Sequence, residues 1–263
     1  MRAIGHYMKL WNLSNLLEVE KNIHFCVSEA HGLCALKFGA SVTAYACLNE
    51  YSGTRFCEVY EADIENGAQL LERIVPGTEL KAIPTLDERL TVFCDTWRNL
   101  HILSANKKTY QTYMDWVNEI TQSMRERNDH STLCEKMVKA EQICLELCKT
   151  YTSEMLLHGD LHHHNILLNE YGCWRIIDPK GVVGDPVFDI PRFILNEFGD
   201  APDHAKLVYI IRTLSKELGV PEIDLKRLLY VETCMGQCWC LNNGETPSLN
   251  EVLFAEQLMD KVK

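Results

Sequence analysis

The sequence predicts an α+β protein with two lobes, a small N-terminal lobe rich in β-strands and a larger helical C-terminal lobe. Short β-favouring runs dominate the chain as far as about residue 75. After Thr85 the apolar residues recur at helical spacing in long segments with charged faces. One polar stretch, 158–165, interrupts these helices and leads into two short strand-like runs. We therefore place the lobes at residues 1–75 and 76–263.

The N-terminal lobe is expected to consist of antiparallel strands around one helix. Residues 23–36 contain two β-favouring runs around the turn-like sequence Glu29-Ala30-His31-Gly32, which predicts a hairpin. Lys37 ends the second strand of this hairpin. Residues 41–51 carry apolar side chains at helical spacing, and residues 55–62 and 69–74 are predicted as two further strands.

The C-terminal lobe is expected to be mostly helical. Its amphipathic patterns predict helices at 86–104, 108–127, 133–156, 188–198, 203–219, 221–242 and 247–261. A β-hairpin is embedded in this series, with strands at 166–169 and 173–177 around Glu170-Tyr171-Gly172. No internal repeat or long flexible linker interrupts the pattern.

Composition and charge exclude several classes of protein. The 263 residues include 37 Asp and Glu against 26 Lys and Arg, a net charge of -11, which disfavours nucleic-acid binding and favours cationic ligands. The N-terminal segment lacks the apolar run of a signal peptide, and no segment approaches the roughly 18 apolar residues of a membrane span. We therefore expect a cytoplasmic monomer that needs no membrane, with its twelve cysteines reduced and mostly in the core.

The chemistry-bearing motif lies in the polar stretch. His158, Asp160 and Asn165 form the pattern H-x-D-x-x-x-x-N before a predicted strand, and Asp178 ends the strand that follows. Phosphoryl transfer to a hydroxyl needs one carboxylate that holds the hydroxyl in line, and a second carboxylate with an amide that binds metal ions on the phosphates. Asp160 can supply the first group, and Asn165 with Asp178 the second. The spacing is that of a kinase catalytic centre.

Five segments resemble one kinase family. They are LLHGDLHHHNILL (156–168), IIDPKG (176–181), GDPVFDI (184–190), LLERIVPGTEL (70–80) and CALKFG (34–39). Together they are similar to the aminoglycoside phosphotransferase family, in particular its streptomycin kinase and hydroxyurea kinase branch. The resemblance covers about residues 20–195 and implies a protein-kinase-like fold, with a nucleotide-binding N-terminal lobe and a helical lobe that holds the catalytic loop and acceptor site.

The resemblance also implies roles for the catalytic residues. Asp160 would be the catalytic base or the carboxylate that orients the substrate. Asn165 and Asp178 would bind magnesium. Asp189 would be structural or would line the acceptor pocket, and His158 would be the structural histidine of the loop.

Nucleotide binding is implied at two further places. Lys37 would contact the ATP phosphates, and the backbone of Glu72, Arg73 and Ile74 would hydrogen-bond the adenine. Kinases pair this lysine with a carboxylate on the following helix, yet no Glu stands between Lys37 and residue 48. Either Glu50 takes that role, or Asp178 and the phosphates hold the lysine.

These observations predict an ATP- and magnesium-dependent phosphotransferase that acts on a hydroxyl of a small, possibly cationic molecule, such as the aminoglycoside streptomycin. Two alternatives stay open. The acceptor could be hydroxyurea or an endogenous metabolite, or the chain could be a pseudokinase-like ATP-binding module, since it also lacks a glycine-rich loop at residues 15–33. A zinc site at His162, His163 and His164 is disfavoured, because no further ligand stands at a suitable spacing.

Overall fold

A computed structural model describes residues 4–51, 53–127, 129–198 and 203–260. The strands in these residues are β1 (Leu13–Glu20), β2 (Ile23–Ser28), β3 (Gly32–Phe38), β4 (Val59–Asp63), β5 (Ala68–Glu72), β6 (Pro76–Glu79), β7 (Met155–Leu157), β8 (Ile166–Asn169), β9 (Trp174–Ile176) and β10 (Val182–Gly184). The α-helices are α1 (Ile4–Leu10), α2 (Val42–Tyr51), α3 (Leu86–Arg98), α4 (Tyr113–Glu126), α5 (Ser131–Thr150), α6 (Ile190–Asn196), α7 (His204–Leu218), α8 (Glu222–Asn242) and α9 (Leu249–Asp260).

Contacts divide the chain into two compact units. The first unit contains residues 1–83 together with 163–181, and the second contains 84–162 together with 182–263. The first is rich in strands and the second in helices, so the predicted α+β class is confirmed. The lobe limits 1–75 and 76–263 stay a prediction.

The first unit is built on a five-stranded antiparallel sheet in the order β1-β2-β3-β5-β4. Its central hairpin, β2 with β3, is the one that the sequence predicts, and Gly32 provides the turn with a φ of +75°. Buried side chains on one face of the sheet form a core that includes Cys34, Leu36 and Leu70. In sequence, Lys37 lies between the core residues Leu36 and Phe38, and it lies opposite Gln69 on β5.

A smaller sheet completes the first unit. It has the order β6-β8-β9, and the hairpin of β8 and β9 pairs Ile166 with Ile176 and Leu168 with Trp174. Apolar Ile166 and Ile176 are fully buried. The hairpin therefore fixes both of its ends, which carry Asn165 before β8 and Asp178 after β9.

The second unit is a group of helices packed around α8. This helix contacts α4, α5, α6, α7 and α9, which explains why it has few exposed positions. Thr112 and Asp115 form a capping box that begins α4, and Gly219 ends α7 in the left-handed conformation. β7 and β10 form a two-stranded sheet, and in sequence they flank residues 158–181.

The structure corrects several predicted boundaries. The helix predicted at 86–104 ends at Arg98, and the one predicted from 108 begins at Tyr113, after its cap. The helix predicted at 133–156 begins at Ser131 and ends at Thr150. The last two residues of the predicted range, 155 and 156, belong to β7 instead. The predicted end at residue 261 lies outside the described residues.

Among the described residues, the sequence patterns missed four β-strands and one α-helix. These are α1, β1, β6, β7 and β10. The strands β7 and β10 have three residues each, too few to show a periodicity, and β1 is an edge strand with mostly exposed side chains. Within the described part of the chain, no helix combines the length and the apolar character that crossing a membrane requires.

Candidate active site

The loop that follows β7 carries Asp160 in the second unit. Gly159 adopts a φ of +78°, which lets the chain turn sharply before the aspartate. The backbone N–H of Asp160 donates to Nδ1 of His158 at 3.1 Å, so the buried histidine fixes the loop from within. Around the carboxylate, Nε of Arg192 lies 3.2 Å and Nε2 of His162 lies 3.6 Å from Oδ1.

Asp189 holds the backbone of this loop. One carboxylate oxygen accepts from the N–H of His158 at 2.8 Å and from Nε2 of His101 at 2.9 Å, and the other accepts from the N–H of Gly159 at 2.8 Å. Burial raises the pKa of Asp189, but the hydrogen bond and charge of His101, with the other donors, lower it to a net value below its usual range. With only 1% of its surface exposed, Asp189 fits the structural role, and contact with an acceptor stays a prediction.

Arg192 on α6 is paired with a buried acid. Its Nη2 lies 2.6 Å from Oε1 of Glu232 on α8, and its Cζ lies 4.7 Å from the ring centre of Trp239. The other oxygen of Glu232 accepts from the hydroxyl of Tyr113 at 2.8 Å. Burial raises the pKa of Glu232, and the guanidinium offsets only part of this rise.

The groups expected to bind metal and phosphate lie in the first unit. Asp178, with a φ of +56°, places its carboxylate between two ammonium groups: Lys37 contacts Oδ1 and Lys180 lies 3.1 Å from Oδ2. Burial raises the pKa of Asp178, but the charges of Lys37 and Lys180 outweigh burial and hold it below its usual value. The carboxylate is therefore ionised at neutral pH.

Asn165 is brought next to this position by the β8–β9 hairpin. The backbone carbonyl oxygen of Asn165 accepts a hydrogen bond from the backbone N–H of Ile177 at 3.0 Å, and Ile177 directly precedes Asp178. A side-chain amide oxygen and an ionised carboxylate are oxygen donors of the kind that Mg²⁺ prefers. The donor set at Asn165 and Asp178 thus fits magnesium.

The segment expected to contact adenine begins at the last residue of β5. The carboxylate of Glu72 accepts from Nη2 of Arg175 at 2.7 Å and from the N–H of Glu58 at 3.1 Å, and the N–H of Glu72 donates to the carbonyl of Glu58. The guanidinium of Arg73 lies 4.0 Å from the ring centre of Phe25, and Ile74 is buried. A role of Glu72, Arg73 and Ile74 in nucleotide binding stays a prediction.

The three consecutive histidines contact different groups. His162 lies near Asp160, His163 is buried, and Nδ1 of His164 lies 2.5 Å from Oε2 of Glu79. Among the described residues, no three His, Cys, Asp or Glu side chains are grouped so that they could hold a metal ion.

Comparison with known proteins decides the family. A family model described as "Aminoglycoside/hydroxyurea antibiotic resistance kinase" matches residues 38–244. The chain belongs to this kinase family. The resemblance seen in the sequence is confirmed, and the protein is a small-molecule kinase.

Two relatives of the kinase have named activities. Streptomycin 3''-kinase of Klebsiella pneumoniae is 27% identical over 195 residues, which cover 68% of each chain. Hydroxyurea phosphotransferase of Kitasatospora aureofaciens is 26% identical over 159 residues, which cover 57% of the kinase but only 45% of that relative.

Among solved structures, a thermostable mutant of aminoglycoside phosphotransferase APH(4)-Ia, in a ternary complex with ADP and hygromycin B, has a TM-score of 0.65. That match has 13% identity and covers 97% of the kinase and 96% of the other chain. The kinase thus has the predicted protein-kinase-like fold.

Sequence reasoning about the kinase missed three residues of the site. Arg192, Glu232 and Tyr113 lie on three helices, and only the tertiary structure brings them together. One signal was available: Glu232 stands in the middle of the apolar segment Leu228–Met235, where a charged residue is unusual.

Proposed function

We propose that the protein is an ATP- and Mg²⁺-dependent phosphotransferase that transfers the γ-phosphoryl group to a hydroxyl of a small molecule. The contact of Lys37 with Asp178 carries this proposal, because it places a phosphate-binding cation beside a carboxylate suited to magnesium. In this proposal residues 1–75 form the nucleotide-binding lobe and residues 76–263 supply the catalytic loop and acceptor site.

Each group of the proposed site has a defined task. Lys37 binds phosphate oxygens, and the backbone of 72–74 binds the adenine. Asn165 and Asp178 would hold Mg²⁺, which when bound neutralises charge on the phosphate oxygens. Asp160 accepts the hydrogen bond of the acceptor hydroxyl and takes its proton. The hydroxyl oxygen forms the new bond to the γ-phosphorus, the bond from that phosphorus to the β–γ bridging oxygen breaks, and ADP leaves.

We propose an aminoglycoside of the streptomycin type as the acceptor. A relative named streptomycin 3''-kinase supports this choice, and the net charge of -11 attracts a molecule that carries guanidinium groups. Hydroxyurea is the second candidate, supported by the relative named hydroxyurea phosphotransferase. We further propose a monomer that acts in the cytoplasm.

The test is a turnover assay with a panel of acceptors. The protein is incubated with ATP and Mg²⁺ and with streptomycin, hydroxyurea or a simple alcohol, and ADP release and the phosphorylated product are followed. Product with streptomycin that disappears on metal chelation supports the proposal, and Asp160→Ala serves as the inactive control. ATP binding without any phosphorylated product would instead identify the pseudokinase-like alternative.

A further inference from the structure

We propose that Arg192 is a positioning residue, which, held by the buried Glu232, fixes the direction of the Asp160 carboxylate. This inference rests on the proposed role of Asp160. It concerns the second unit alone, since α6, α8 and the loop with Asp160 all belong to it.

Two different groups hold the two parts of Asp160. Asp189 holds the loop backbone through the N–H groups of His158 and Gly159, but these bonds leave the side-chain torsions of Asp160 undetermined. Arg192 contacts the carboxylate itself, with Nε 3.2 Å from Oδ1, and Nε2 of His162 lies 3.6 Å from the same oxygen. The rate of a reaction depends strongly on placing the reacting group correctly, to within a fraction of an ångström. The contact of Arg192 with the carboxylate therefore matters for catalysis.

The guanidinium of Arg192 is fixed on three sides. Nη2 lies 2.6 Å from Oε1 of Glu232 and Nε lies 3.2 Å from Oδ1 of Asp160, and both are ion-pair contacts in which neither Nε nor Oε1 takes part in a hydrogen bond. The Cζ atom lies 4.7 Å from the ring centre of Trp239. Trp239 in turn packs against Trp116, with ring centres 5.0 Å apart. Because a guanidinium is planar and presents its donors in a rigid fork, it can contact two carboxylates at once in one orientation.

Glu232 is the anchor of this arrangement. It is 3% exposed; its Oε2 accepts a hydrogen bond from the Tyr113 hydroxyl, and its Oε1 forms an ion pair with Nη2 of Arg192 without a hydrogen bond. A buried ion pair is weak evidence for stability, because apolar side chains of similar volume stabilise a core as well or better. The cost of burying Glu232 in α8 is explained if its purpose is to orient Arg192 toward Asp160.

A purely structural ion pair is the alternative, and the chain contains a matched control for it. Arg89 and Glu197 form a similarly buried pair in the second unit, with Nε 2.7 Å from Oε1 and Nη2 3.0 Å from Oε2. This pair does not involve Asp160 in any of these contacts. Arg89→Met therefore removes a buried Arg–Glu pair without touching the proposed catalytic residue, while Lys206 stays 2.8 Å from Oε2 of Glu197.

The experiment compares Arg192→Met, Arg192→Lys and Glu232→Gln with Arg89→Met in the full chain, and measures kcat, KM for ATP, KM for streptomycin and the melting temperature. We expect Arg192→Met and Glu232→Gln to lower kcat about 10- to 100-fold, with KM for ATP within about twofold. Arg192→Lys should restore only part of kcat, since an ammonium cannot contact both carboxylates in the same geometry. Arg89→Met should lower the melting temperature and leave kcat per folded molecule within about twofold.

A double variant tests whether Glu232 acts through Arg192. We expect Arg192→Met with Glu232→Gln to have the kcat of Arg192→Met alone, because the effect of Glu232 needs the guanidinium. Independent, multiplying effects of the two substitutions would overturn the proposal. So would a kcat for Arg192→Met that equals that of Arg89→Met.

A crystal structure of Arg192→Met gives a readout that does not depend on the acceptor. The proposal requires the Asp160 carboxylate to leave its wild-type position in this variant, and in Glu232→Gln if Arg192→Met does not fold. An unmoved carboxylate overturns the inference. If the wild-type protein phosphorylates no acceptor of the panel, the proposed function fails, whereas a displaced Asp160 still supports the positioning role.

Discussion

Lys37 on β3 contacts the carboxylate of Asp178, 141 positions further along the chain. Both residues belong to the first unit, and the β8–β9 hairpin carries Asp178 to this contact. The sequence left two partners open for this lysine, Glu50 on the following helix or Asp178. The contact in the structure supports the second, so the lysine is held by the residue proposed to bind metal.

The first prediction concerns Glu50. We expect Glu50→Gln to leave turnover and ATP affinity within about twofold of wild type, because Lys37 is held by Asp178. Lys37→Met is the matched variant: loss of a charge-assisted contact to the phosphates should weaken ATP binding about 10- to 100-fold. Titration calorimetry with ATP and Mg²⁺ measures both. A large loss of affinity in Glu50→Gln would show that the helix carboxylate is the functional partner.

The second prediction concerns the proposed magnesium ligands. Asp178→Ala and Asn165→Ala should each weaken Mg²⁺-dependent ATP binding about tenfold or more and lower turnover as well, because each removes an oxygen donor to the metal. The measurement is ATP affinity as a function of Mg²⁺ concentration. Metal titration curves identical to wild type in both variants would remove these residues from the metal site.

The sequence could predict the parts of the site that are local in the chain. The spacing from His158 through Asn165 to Asp178 reflects one loop and one hairpin, and the structure contains both. The contact of Asp189 with the loop could not be derived from pattern alone, since it joins residues 30 positions apart. The same holds for Arg192 and Glu232, whose helices meet only in the folded chain. Long-range pairing is set by tertiary packing and leaves no periodic signal.

The third prediction concerns Asp160. We expect Asp160→Ala to lower phosphoryl transfer by roughly 10²- to 10⁴-fold, the usual contribution of an acid–base group. ATP affinity should stay near wild type, because the proposed phosphate and metal contacts come from other residues. Turnover and calorimetric ATP binding, measured on the same preparation, check this. Retained turnover with lost ATP binding would reverse the assignment of Asp160 and the nucleotide-binding groups.

The fourth prediction is an effect of pH on stability through Asp189. Its pKa is lowered in the folded protein, by the hydrogen bonds and charge that outweigh burial. A lowered pKa means that the folded protein binds the proton less tightly than the unfolded chain does. The resulting stabilisation is complete above the unfolded pKa of about 4 and is lost as the pH falls through the lower folded value.

Asp189→Asn should therefore lower the free energy of unfolding by about 3 kcal/mol at pH 7. The side-chain NH2 of asparagine is a donor and would face a group that now donates to the carboxylate, so one buried hydrogen bond would be lost. The cost should shrink below about pH 4, where the wild-type carboxylate itself becomes protonated. Denaturant unfolding from pH 2.5 to 7 measures this as a convergence of the two stability curves toward low pH. The control is Asp95→Asn, an exposed aspartate on α3 of the same unit, which should follow the wild-type curve in parallel. A constant difference between wild type and Asp189→Asn at every pH would show that the carboxylate charge of Asp189 does not stabilise the loop.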